Sequence, residues 1–106
     1  MPPETTLDIQ QLRANADAAG QLLKALSNPD RLLLLCQLSQ GERNVSELEN
    51  LLGIQQPTLS QQLAVLRREG LVETRREGKQ IYYRICSPAA LAVIDTLYQQ
   101  FCAKEE

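Results

Sequence analysis

The sequence predicts a mainly α-helical chain with one small β-hairpin, and three observations carry that expectation. Apolar residues recur at three- and four-residue spacing over most of the 106 positions. Helix-start signals, Asn or Ser followed by Pro or by an acid three residues on, stand before several of those runs. Between Gly70 and Ser87 the pattern changes to short, β-branched and aromatic runs typical of strands.

Taken in order, Ile9, Leu12, Ala16, Ala19, Leu23 and Leu26 form one helical seam, suited to packing on the body or on a second subunit. Asn28-Pro29-Asp30 supplies a capping side chain, a proline at the first helical position and an acid in the first turn. The helix it opens carries Arg31-Leu-Leu-Leu-Leu-Cys-Gln-Leu38. Its leucines point in all directions, as expected of a helix buried on most sides, and Gly41 marks its end. Asn44-Val45-Ser46-Glu47 resembles a capping box for a short helix through Leu52, stopped by Gly53. Gln56-Pro57 starts the next helix, with Leu59, Leu63 and Leu66 inward and Gly70 beyond its end. LVETRR and QIYYRI flank Glu77-Gly78-Lys79 and read as a hairpin. Ser87-Pro88 caps a last helix, on which Leu91, Ile94, Tyr98, Phe101 and Cys102 fall on one side. Two helices joined by a tight glycine-containing turn, followed by a hairpin wing, make a winged helix-turn-helix, and residues 1–106 read as a single domain of that class.

A chain of 106 residues is small for an isolated core, so a homodimer is expected. The N-terminal MPPETTLDIQ has neither a basic n-region nor an apolar h-region, and no apolar run approaches a membrane span, which points to a cytoplasmic protein. Three widely spaced cysteines without CxxC are no secreted disulfide framework. The net charge is −2, yet Arg67, Arg68, Arg75, Arg76, Lys79 and Arg84 gather against only Glu69, Glu73 and Glu77. A local basic surface on an acidic body fits directed contact with nucleic acid, although a solvated, salt-bridged face would show the same composition.

In a helix-turn-helix the second helix enters the major groove with its N-terminal residues toward the base edges. Here that end reads QQPTLSQQL. With the leucines inward, Thr58, Ser60, Gln61 and Arg68 face away from the core. Gln can pair with adenine in two places, and Ser and Thr can bond base edges or phosphates. Arg68, Arg76 and Lys79 stand where they could neutralise phosphates and position the protein without reading sequence. An enzyme is not expected: there is no histidine, no glycine-rich phosphate loop and no paired carboxylates in a plausible pocket. No cofactor is expected either.

The segments NPDRLLLL, VSELENLLGI-QQPTLSQQLAVLR and GLVETRREGKQIYYRI together resemble the ArsR/SmtB family of bacterial repressors, from about Leu22 to Ile85. The resemblance implies a homodimer with the first and last helices in its interface, an inverted-repeat operator in double-stranded DNA, and release of that operator by an inducer. Carried over by position, the DNA-contacting residues would be Gln56, Thr58, Ser60 and Gln61, with Gln62 where many members have His.

The inducer turns on what the chain lacks and on its cysteines. Zinc and nickel sites in that family use histidine with carboxylates, and this chain has no histidine. The family's thiolate site for arsenic, lead or cadmium lies in the helix before the turn, which here reads VSELENLL and holds no cysteine. No metal site is therefore assigned. On residues alone Cys36 reads as core, since a free cysteine packs as a small hydrophobe. Cys36 and Cys102 are, however, similar in position to the pair of the family's sulfide-responsive branch, the BigR/SqrR-like repressors. That likeness implies a redox-sensing pair, reactive sulfur species as inducer and derepression of sulfide-detoxification genes. A thiolate-bound soft metal such as Cu(I), or a general oxidant, remains an alternative inducer, and a winged protein-interaction module an alternative role. Cys86 reads as a strand residue outside the pair.

Overall fold

The computed structural model describes residues 8–102; the remaining positions of the 1–106 domain lie outside the described residues. The order of elements is α1 (Ile9–Leu26), α2 (Pro29–Leu38), β1 (Arg43–Asn44), α3 (Val45–Leu52), α4 (Thr58–Arg68), β2 (Val72–Glu77), β3 (Gln80–Ile85) and α5 (Pro88–Phe101). This is a winged helix-turn-helix, as the sequence predicts.

The helix starts form through their own side chains. Asn28 Oδ1 accepts the Arg31 N–H at 3.1 Å, and Ser87 Oγ accepts the Ala90 N–H at 3.1 Å. At α3 the box is reciprocal, with Asn44 Oδ1 accepting the Glu47 N–H and Glu47 Oε1 accepting the Asn44 N–H, both at 2.9 Å. Each such cap contributes about 1 kcal/mol. Gly53 ends α3 with φ 73°, a left-handed conformation that a side chain would strain. The α4 start differs from expectation. Its first helical residue is Thr58, Pro57 offers no cap, and Gln56 Oε1 reaches forward to accept the Ser60 N–H at 3.2 Å.

Leu34, Leu35, Leu48, Leu59, Leu63, Leu66 and Ile94 are fully buried and form one core with Leu26, Leu38 and Val72. Helix α2 lies at its centre and packs on α1, α3, α4, α5 and β3. It is nevertheless not buried all round: Leu33 is exposed, while Leu32 and Cys36 are partly covered. The stripe on α5 is also corrected. Its inward face is Ala90, Val93, Ile94 and Leu97, whereas Leu91, Tyr98, Phe101 and Cys102 are exposed, because α5 meets the body along a face rotated from the expected stripe.

Strands β2 and β3 pair antiparallel from Val72↔Ile85 to Glu77↔Gln80, leaving Gly78 and Lys79 as a two-residue loop. Gly78 has φ 63°, and a two-residue loop with glycine first matches the twist of the paired strands. A third strand, β1, completes the sheet beside β3 through Arg43↔Tyr83 and Asn44↔Tyr82. Two residues carry no period, so nothing in the sequence signalled it.

Helix α1 is the outlier. Of its 18 residues only Ala25 and Leu26 are buried. Ile9, Leu12 and Leu23 lie 62%, 44% and 58% exposed on its surface. The radius of gyration, 16.1 Å, exceeds the roughly 13 Å of a compact chain of this size. The chain has an extended arm and wing.

Candidate nucleic-acid interface and thiol cleft

The turn from α3 into α4 presents the start of α4 at the surface. Ser60 and Gln61 are exposed there, Gln56 is exposed just before the helix, and Thr58 is partly covered. Arg68 is exposed at the far end of the same helix, 3.7 Å from Glu69. Gln62 sits differently. It is partly covered, and its Oε1 accepts from Arg31 Nη1 at 2.9 Å, so its oxygen faces α2 rather than the open face holding Gln61.

The wing sorts its cations into paired and unpaired. Arg75 binds Glu42 and Glu77, each at 2.8 Å, and lies over the Tyr82 ring with its carbon 4.8 Å from the centroid. The hydrogen bond from Arg75 holds the Glu42 carboxyl below its usual range, and these carboxylates push the Arg75 value up. Arg84 is paired with Glu73. Arg76 and Lys79, the two wing residues singled out by the sequence, are exposed and form no ion pair among the described residues. Cations without protein partners are the ones free to take phosphate.

Leu32 and Cys36 of α2 meet Leu97, Tyr98 and Phe101 of α5 and Cys102, the C-cap of that helix, around a cleft of about 250 Å³. Among the described residues no charged side chain lines it. Cys36 is half-buried and Cys102 exposed; both thiols are free. Burial first, and the neighbouring Cys102 second, push the Cys36 thiol above its ordinary pKa, because neither favours the thiolate. Cys86 lies elsewhere: its Sγ contacts the Gly70 carbonyl at 3.4 Å beside the wing, and it is exposed. Among the described residues no three His, Cys, Asp or Glu side chains converge. No described helix is long and apolar enough to cross a membrane.

Two relationships escaped the sequence. Arg31 has no helix-period signature beyond standing in the first turn after Pro29, and only the packed structure shows its guanidinium reaching the Ala25 carbonyl at 2.6 Å as well as Gln62. Arg43 on β1 could not be foreseen for the same reason as the strand.

The model of the bacterial regulatory protein arsR family matches residues 28–74, which span α2 through the first half of β2. The biofilm growth-associated repressor of Agrobacterium fabrum is 51% identical over 99% of this chain and 94% of its own length. The chain belongs to the ArsR family. Among solved structures, the repressor BigR from Xylella fastidiosa superposes with a TM-score of 0.83 at 49% identity, covering 93% of this chain and 98% of that one. Reduced HlyU from Vibrio cholerae gives 0.84 at 42% identity, over 88% and 98%. This ArsR-family protein is therefore a transcriptional regulator with a DNA-binding winged helix-turn-helix, matched along nearly its whole length rather than in the DNA-reading segment alone.

Proposed function

We propose that this ArsR-family regulator represses transcription as a homodimer on an inverted-repeat operator, and lets go when sulfane sulfur links Cys36 to Cys102. One juxtaposition carries the reading: the two thiols share a cleft between the core helix α2 and the terminal helix α5. The name of one relative, a biofilm growth-associated repressor, supports repression, and the reduced form named for HlyU supports a thiol-based redox response.

DNA contact is assigned to Gln56, Thr58, Ser60 and Gln61 at the α4 start, with Arg68, Arg76 and Lys79 on phosphates. Gln62 is the weakest of the sequence-derived set, because its oxygen is already held by Arg31. The uncovered apolar residues of α1 supply the dimer face, continued by those of α5.

The inducing step balances with a hydropersulfide RSSH. The Cys102 thiolate attacks the terminal sulfur, the S–S bond of the donor breaks, and a Cys102 persulfide and the thiol RSH form. Cys36 then attacks the inner sulfur of Cys102, giving a Cys36–Cys102 disulfide and H₂S. The two protein thiols are oxidised and the donor sulfur is reduced. A disulfide demands Cα atoms within about 7 Å, so closure moves α5 against α2 if the reduced pair stands further apart than that, and a longer sulfur bridge relaxes the demand. In a dimer built partly on α5, that movement changes the separation of the two α4 helices, whose half-sites match at multiples of about 34 Å. A coupling of roughly 1–3 kcal/mol weakens operator binding about 5- to 150-fold, enough to derepress sulfide-detoxification genes.

The test is operator affinity, measured anaerobically before and after glutathione persulfide, with peptide mass spectrometry on the same samples. Cys36→Ser and Cys102→Ser should bind operator normally and stay bound after treatment. Release retained in both variants overturns the scheme.

A further inference from the structure

The wing hairpin divides its charges by face. Cross-strand partners share a face, so the Glu73–Arg84, Arg75–Tyr82 and Glu77–Gln80 pairs stand on one side and the intervening pairs, Arg76–Ile81 among them, on the other. Tyr83 and Ile85 belong to the second side and pack against the core, so that side is turned to the body. On the outward side both arginines are occupied. Arg75 Nε donates to Glu42 Oε2 and its Nη1 to Glu77 Oε1, each at 2.8 Å, and Glu73 holds Arg84. The Tyr82 ring, 4.8 Å from the Arg75 guanidinium carbon, takes up the face of that group as the carboxylates take up its edges. Two arginines against three carboxylates leave this cluster net acidic, although the strand end reads RREGK.

We propose that Glu42 and Glu77 are specificity-determining residues that withhold Arg75 from the DNA backbone, so that the wing meets phosphate with Arg76 and Lys79 and affinity for unrelated DNA stays low. This rests on the reading that Arg76 and Lys79 lie against phosphates, and adds the residues that set how many phosphates the wing takes. The Arg75 and Glu77 side chains are 50% and 67% exposed, and ion pairs so exposed stabilise a fold little. They do change the number of cations that phosphate can recruit, and that number sets affinity for DNA of any sequence. On an operator the base contacts of α4 fix the register, whereas unrelated duplex imposes none. An arginine freed from its carboxylates then takes whichever phosphate is nearest, so unrelated duplex gains most from its release.

The full, reduced chain is compared with the Glu42→Gln, Glu77→Gln double variant, with Arg75→Ala and with the triple variant that combines them. Fluorescence anisotropy on a duplex of scrambled sequence, and on the operator, gives affinity between about 50 and 200 mM salt. Freeing Arg75 should steepen log K against log salt by about 0.9 for each wing in contact, so the loss of affinity across that range grows about three- to fourfold. At the low-salt end the double variant should bind scrambled duplex at least about threefold more tightly, with a smaller gain on the operator. In the triple variant the added slope should vanish, because the cation that supplies it is gone.

An equal change of slope from the two glutamines with and without Arg75 would mean that the carboxylates act only by repelling phosphate, and it overturns the proposal. A slope that the double variant leaves unchanged, while Arg76→Ala still flattens it, overturns the proposal too and leaves the wing on the phosphates. If Arg76→Ala and Lys79→Ala both leave the slope untouched, the wing does not lie against phosphate, and the reading beneath the proposal falls with it.

Discussion

The Arg31 guanidinium, at the start of α2, donates to Gln62 Oε1 in the middle of α4 at 2.9 Å while donating to the Ala25 carbonyl near the end of α1 at 2.6 Å. One charged fork thus ties together the helix that carries Cys36, the helix proposed to face DNA and the arm that faces solvent. Hydrogen bonds to a charged donor contribute about 1.5–3 kcal/mol, more than neutral ones. Arg31→Lys keeps the charge but cannot span both oxygens. It should lower stability by roughly 1–2 kcal/mol and the thermal midpoint by about 5–10 °C. Operator affinity should fall in parallel, because the orientation of α4 loses a tether. An unchanged midpoint would mean the fork adds nothing to water's own hydrogen bonds.

The α4 face and the wing should separate by salt. Gln61→Ala removes a side chain proposed to read bases and should cost about 1–3 kcal/mol on the operator, with little effect on unrelated duplex. Arg76→Ala or Lys79→Ala should weaken binding to both duplexes alike and flatten the dependence of log K on log salt by about one unit each. Arg75→Ala should flatten it less, since Arg75 is held by Glu42 and Glu77 and over Tyr82. Fluorescence anisotropy at several salt concentrations reads all four slopes, and equal slopes for Arg75 and Arg76 would undo the distinction between paired and unpaired cations.

Why some of this was readable from the chain and some was not follows from the range of the forces involved. Caps are local, so Asn28, Asn44 with Glu47, and Ser87 declared their helices from neighbours three residues away. The inward leucines of α4 likewise follow from period alone, and Leu59, Leu63 and Leu66 are buried as expected. Period says which residues share a stripe but not how a helix is rotated against its partner. That is why the α5 stripe through Leu91 and Tyr98 turned outward while Ala90 and Val93 turned in. The Arg31 to Gln62 contact spans 31 residues and the cleft joins α2 to α5. Such meetings depend on packing, and the proximity of Cys36 to Cys102 was accessible beforehand only through likeness to a family.

Closure of the cysteine link should speed up with pH in a particular window. Burial, then Cys102, raises the Cys36 pKa, so its neutral thiol persists to higher pH than an ordinary one. Below that pKa the thiolate fraction grows about tenfold per pH unit, and the resolving step should follow it. Rapid-quench mass spectrometry, starting from the Cys102 persulfide, should show closure still accelerating where an exposed thiol, with pKa about 8.5, has levelled off. The same shift has a stability counterpart of fixed sign. A raised folded-state pKa contributes stability that is present below the unfolded pKa and lost as pH rises through the folded one, so the reduced protein should weaken at alkaline pH. Cys36→Ser should lose that alkaline weakening, and a rate plateau at or below that of an exposed thiol would contradict the buried setting of Cys36.

The arm makes the dimer testable without disturbing the fold. Leu12 and Leu23 are 44% and 58% exposed in the single chain, so changing both to glutamate removes little from its own core. In a dimer that covers α1, each leucine loses burial worth about 1.5 kcal/mol or more, twice over by symmetry, and a carboxylate must be desolvated in its place. The dissociation constant of the Leu12→Glu, Leu23→Glu variant should rise by more than about a thousandfold. Analytical ultracentrifugation should then show a monomer at micromolar concentration, with helix content by circular dichroism essentially retained. Operator affinity should collapse with it, because two half-sites need two α4 helices held at fixed spacing. A variant that stays dimeric would remove α1 from the interface and leave its apolar stripe to be covered by something other than a second copy of this chain.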